Sequence, residues 1–147
     1  MKYSEAQGGR IFVLRLEDGD ILHEIIEAFA QDHGIERAAL IALGGADEGS
    51  TLVVGPEQRR TTPVVPLKHV IEGVHEMAGV GTLFPDASGR PILHMHAAGG
   101  REGKAVAGCA RAGVRIWNVA EVIIWELTDN TGRRLPDPAT GFDLLVP

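Results

Sequence analysis

The 147-residue chain contains one cysteine, Cys109. A single thiol cannot close an internal disulfide, so the composition suits a reducing, cytoplasmic setting. Aromatic residues are also few, at four Phe, two Trp and one Tyr, so the core must be built from Val, Ile, Leu and Ala. No stretch of about 18 apolar residues occurs, which argues against a membrane-spanning helix. The opening "MKYSEAQGGR" has no apolar run after its lysine, so no signal peptide is expected. Positive charge is scarce: 14 Lys and Arg stand against 20 Asp and Glu, for a net charge of -6. The longest basic clusters, Arg59-Arg60 and Arg133-Arg134, are not basic arms. Phosphate neutralisation supplies most of the affinity for nucleic acid, so this balance disfavours DNA as a partner.

What is present fits one domain spanning residues 1–147, a length that buries a core without a staple. Nineteen glycines imply many tight turns. "GRIFVLRLEDGDI" opens with an alternation of Ile11, Val13 and Leu14-Leu16 against Arg15 and Glu17, a strand ending at the Glu17–Gly19 turn. "DGDILHEIIEAFAQDHGI" predicts the main helix, capped by Asp18 or Asp20 and stopped by Gly34. Its apolar stripe is Ile21, Leu22, Ile25, Ile26 and Phe29. "ERAALIALGGADEGSTLVVG" predicts a strand, a bulge at Gly44-Gly45 and a returning strand. "RRTTPVVPLKHV" predicts loop plus an irregular edge. Two strands around a turn at Asp86–Gly89 follow, then a turn at Gly99–Gly103 and a further strand. Val119 to Leu127 is the most hydrophobic strand, apolar enough to be buried on both faces, and "TGFDLLVP" predicts a short terminal one. The fold class is α+β: a mostly antiparallel sheet with one main N-terminal helix.

The chemistry concentrates in "LHMHAAGGREGKAVAGCARAG". On a strand, residues i and i+2 share a face, so His94 and His96 converge while Met95 points away. The chain then turns and returns with Cys109. If the register aligns it with the histidines, three protein ligands form a metal site with an open fourth position, the pattern of catalytic zinc. Imidazole and thiolate together suit zinc. The competing account is two half-buried imidazoles bonded to carbonyls or carboxylates, beside a small buried cysteine.

"ILHMHA", "VAGCARAG" and "AEVIIWEL", together with the opening strand, helix and Gly-rich turn, resemble the plants-and-prokaryotes-conserved (PPC) domain. The likeness covers almost the whole chain. It implies a sandwich or half-barrel around the antiparallel sheet, and a homotrimer. It also implies a zinc ion on three histidines, two of which map to His94 and His96. The third maps to Cys109, because "AGC" stands where the family has "GGH". Cysteine either replaces the third ligand or marks the loss of the site.

Glu121 matches the family's strand glutamate. It stands as an acid/base or as a partner for a ligand imidazole, against a plain salt bridge with Arg10, Arg15 or Arg115. His75 is a fourth ligand or substrate contact, or an edge histidine facing water. His69 reads as a solvated loop residue. Trp117 and Trp125 read as core or interface residues.

Three functions follow from the resemblance. The family's label is DNA binding, which in plants relies on AT-hooks; no Arg-Gly-Arg core occurs here. Similarity to acetolactate decarboxylase implies instead a zinc enzyme or binder acting on a small carboxylate, with Arg111 and Arg115 to hold the acid group. The third is a trimeric assembly module.

Overall fold

In the computed structural model, which describes residues 1–60 and 63–147, the chain forms ten strands and one helix. In chain order these are β1 (Gln7–Glu17), α1 (Leu22–Asp32), β2 (Ala38–Ala46), β3 (Thr51–Pro56), β4 (Pro66–Val70), β5 (His75–Pro85), β6 (Pro91–Arg101), β7 (Lys104–Cys109), β8 (Ile116–Thr128), β9 (Arg133–Asp137) and β10 (Phe142–Val146). A 3-10 turn, Ala110–Ala112, follows β7. Eight strands make one antiparallel sheet in the order β1-β8-β2-β5-β6-β7-β3-β4, and β9 pairs with β10 in a separate hairpin. No helix among the described residues is long and apolar enough to cross a membrane.

The α+β class with a mostly antiparallel sheet holds. The sheet is open rather than a sandwich or half-barrel, because β1 and β4 sit at opposite edges and do not pair with each other. The returning strand β3 pairs with β7 and β4, not with β2. The irregular edge predicted after Arg59 is β4, whose ladder with β3 shifts register between Val53 and Pro56. Residues 61–62 of that stretch lie outside the described residues.

Alternation along the strands sorts side chains onto two faces. The inner face carries Leu16, Leu40, Leu83, Leu93, Met95, Val122 and Ile124, each buried. The helix closes this face with Leu22, Ile26 and Ala30. Ile25 points away and is 37% exposed, so the buried stripe is narrower than the sequence predicts. On β1 the inward residues are Phe12, Leu14 and Leu16, while Ile11 and Val13 face outward. Apolar residues stand at both odd and even positions from Ile11 to Leu16, so the pattern alone does not fix which face is inward.

The helix N-cap is Ile21, without a side-chain cap. Both aspartates expected there bond elsewhere, one locally and one across the fold. Asp20 accepts from the Glu17 amide at 2.8 Å, and Asp18 accepts from the Asn118 amide at 2.7 Å. The Leu22 amide donates to the Val114 carbonyl instead. At the other end Gly34 does stop the helix, with φ +64°. Its amide donates to the Gln31 carbonyl and that of Ile35 to the Ala30 carbonyl, the paired bonds of a Schellman ending. The predicted bulge also stands: the β2–β8 ladder shifts between Gly44 and Gly45. Gly44 has φ +148°, and a Cβ there would lie 2.3 Å from the Val119 carbonyl oxygen, so no larger residue fits.

Candidate metal centre

The β6–β7 hairpin builds the site. Its turn is tighter than predicted, consisting only of Glu102 and Gly103, both left-handed (φ 53° and 74°). That is the two-residue geometry matched to strand twist. Arg101 then pairs with Lys104, and the unbroken ladder places Cys109 directly opposite His96. One residue more or less in the turn would send Cys109 to the other face. The glycine before it serves a close strand: a Cβ on Gly108 would lie 2.5 Å from the Val53 carbonyl oxygen.

Met95 is fully buried on the inner face, while His94 and His96 project outward. Their Nε2 atoms lie 3.2 Å apart. These two nitrogens and Cys109 Sγ all lie within 4.8 Å of one another. A tetrahedral ion with bonds of about 2.0–2.1 Å to nitrogen holds two such ligands about 3.3 Å apart, so the observed spacing fits. Burial, then the positive charges of Arg134, His96 and Arg111, lower the pKa of His94 below the usual histidine value. A neutral imidazole keeps the lone pair that a metal needs. The three side chains thus fit a metal ion.

The half of β6 that carries His94 has no strand on its outer edge, since β7 covers only His96 to Arg101. Glu27 of the helix accepts from the Leu93 amide at 2.8 Å there. Past this edge the β9–β10 hairpin lies against the outer face. Its Arg134 donates to Thr82 Oγ1 at 3.0 Å, and Thr82 is paired across the sheet with His94. The Arg134 guanidinium stands 6.0 Å from the centre of the Phe84 ring. Burial first, and then the charge of Arg111, push its pKa below the usual arginine value. Arg134 was missed at the sequence level because "GRR" reads as a surface pair; only the hairpin's placement buries it.

The remaining expected residues are scattered. Glu121 is exposed on β8 and shares the outer face with the histidines. It is separated from β6 by β2 and β5, about 14 Å at ordinary strand spacing. The salt bridge expected as its alternative is not made among the described residues: Arg10 pairs with Glu126, Arg15 pairs with Glu17, and Arg115 forms no ion pair. His75 shares the inner side with Met77, on the opposite face from the cluster, and its Nδ1 lies 3.2 Å from the Gly73 carbonyl oxygen. It is not a fourth ligand. His69 is exposed on the edge strand β4. Arg111 borders a cavity beside His94, but Arg115 does not. Trp117 and Trp125 are 43% and 37% exposed, outside the core. β8 itself is buried on one face only, through Ala120, Val122 and Ile124.

An open antiparallel sheet backed by one helix, with a His-His-Cys cluster on its free face, defines a small α+β protein with a metal-binding constellation. The chain belongs to the Plants and Prokaryotes Conserved (PCC) domain family, whose model matches residues 3–128. Among solved structures it is similar to the metal-containing protein AF0104 of Archaeoglobus fulgidus, with 26% identity, a TM-score of 0.85 and all of both chains covered. It is also similar to a plant- and prokaryote-conserved protein of Pyrococcus horikoshii, with 22% identity, a TM-score of 0.86, and 100% and 98% of the two chains covered. A candidate DNA-binding protein of Bacteroides thetaiotaomicron shares the fold at 14% identity and a TM-score of 0.78, with 96% of each chain covered. One curated relative, the bifunctional protein GlmU of a Synechococcus strain, is 26% identical over 134 residues. That match takes 90% of this chain but only 20% of the relative's length.

Proposed function

We propose that this protein binds one zinc ion per chain through His94, His96 and Cys109, and works as a homotrimer of single-domain subunits. The observation that carries this reading is the convergence of three soft-to-borderline donors within 4.8 Å on an open face. Three protein ligands leave a fourth position for water or a ligand, and the thiolate sets this donor set apart from a three-histidine one. When bound, the ion supplies Lewis acidity toward an oxygen of a small molecule. The metal-containing relative of Archaeoglobus fulgidus supports the same reading. The homotrimer is supported by apolar residues left uncovered on the outer face, among them Ile11, Val13 and Val80 at 63%, 76% and 65% exposure. Glu121 lies on that face, so it serves a metal centre as acid or base only across a subunit boundary.

The open coordination position favours a second reading, a zinc-dependent enzyme resembling acetolactate decarboxylase in chemistry. DNA binding is the weaker reading, because the chain carries a net charge of -6. The lone thiol, which cannot close an internal disulfide, supports a cytoplasmic setting.

Metal content by mass spectrometry, on protein purified without chelator or affinity tag, tests the proposal. About one zinc per chain is expected, lost in His94→Ala. No zinc even after its addition would leave the assembly module as the better account.

A further inference from the structure

The β9–β10 hairpin adds a feature that the metal cluster does not account for. Between it and His94 lies a cavity of about 520 Å³, bordered by Arg111, Arg134, Phe142, Asp143 and Leu144. Arg134 is only 6% exposed. A cation buried to that degree is normally paired, because removing it from water costs several kcal/mol. Among the described residues its one hydrogen bond goes to the neutral Thr82 hydroxyl, and its buried Nε has no partner. Neither Arg134 nor Arg111 forms an ion pair among the described residues. Asp143 faces the same cavity but is exposed and forms no ion pair with either arginine. Two guanidiniums therefore border one cavity with a single carboxylate, Asp143, whose charge acts on Arg134 from beyond ion-pair distance, next to apolar side chains of β10. Arg134 also lies beyond the residues matched by the family model, which end at 128.

We infer that this cavity is a binding site for a small carboxylate, whose acid group pairs with Arg134 and Arg111 while its aliphatic part lies on Phe142 and Leu144. A planar carboxylate suits the guanidinium fork, which offers parallel donors to both oxygens. The site stands without the metal. With zinc bound at His94, the same ligand would be held beside the ion.

An NMR titration of the full chain with sodium butyrate at constant ionic strength tests the inference, with butyramide and inorganic phosphate as parallel probes. Saturable shifts of the Arg134 and Arg111 side-chain signals are expected with butyrate and not with butyramide. Arg111→Gln, on an exposed side chain, is expected to weaken butyrate about tenfold, the loss of one charge-assisted hydrogen bond. Arg134→Gln is expected to abolish binding, provided its amide spectrum shows a folded chain. Equal shifts with butyramide, unchanged affinity in Arg111→Gln, or no saturable response to butyrate would overturn the site. Tighter saturation by phosphate would overturn the carboxylate assignment. The folded, metal-free His96→Ala variant separates the two readings: butyrate binding there keeps the pocket whatever the metal does. Zinc binding without butyrate shifts in the native chain would remove the pocket alone.

Discussion

The two faces of the eight-stranded sheet are made by the same strands and differ by one residue in phase, yet their environments are opposite. The inner face is sealed: Leu83, Leu93 and Met95 are buried under α1. The outer face is apolar too, but nothing among the described residues covers most of it, and Val13 stays 76% exposed. The His-His-Cys cluster and the cavity beside His94 sit where the β6–β7 and β9–β10 hairpins meet on that outer face. An apolar strand residue is therefore core or contact surface according to what a helix happens to cover, and 11 helical residues cover one side only.

The strongest way to break this comparison is to remove an inner residue. Leu93→Ala is expected to cost about 2–5 kcal/mol, read from denaturant midpoints. A midpoint that did not move would mean the inner face is not the core. Val80→Lys, its counterpart on the outer face, is expected to convert the assembly to single chains, as measured by light scattering on a sizing column. The separated chain should lose the stability that association supplies, and its unfolding midpoint should no longer depend on protein concentration. An unchanged mass would show that copies do not meet on this face. At the polar end of the same face, Cys109→Ala should lower zinc content below one per chain, and full retention would remove Cys109 from the ligand set.

The smallest effect concerns the rim of the inner face. Arg10 holds Glu126 in a two-pronged pair, with Nη2–Oε1 at 2.6 Å and Nε–Oε2 at 2.7 Å. This pair lowers the pKa of Glu126 to about 2. The stability it contributes is present above the ordinary carboxylate value of about 4.3 and is lost as pH falls through about 2. The melting temperature of Glu126→Gln should therefore lie below that of the native chain at neutral pH, and the gap should close in acid. A gap independent of pH would show that the pair contributes nothing through its charge.

Much of this architecture was legible in the residues. Gly34 marked the helix end, Gly44-Gly45 the bulge, and the Asp86–Gly89 segment the hairpin, because each is a local backbone requirement that few residue types satisfy. The convergence of His94 and His96 followed from strand periodicity alone. The helix cap was not legible, since Asp18 bonds across the fold to the Asn118 amide and Asp20 turns back onto the Glu17 amide three residues before it. The phase of β1 was not legible because apolar residues occupy both its faces. Glu121 looked adjacent to the cluster by motif order, but strand order separates them: the sheet inserts β2 and β5 between β8 and β6. Arg134 carried no signal at all.

The sequence by itself determined which elements form, where the turns fall and that two imidazoles share a face. These are short-range consequences of side-chain period and backbone sterics. Only the tertiary structure decided that Cys109 joins them, because the register of a hairpin depends on the length of its turn. It alone decided that Arg134 is buried beside His94, because packing the β9–β10 hairpin onto the outer face brings together residues that local sequence cannot relate.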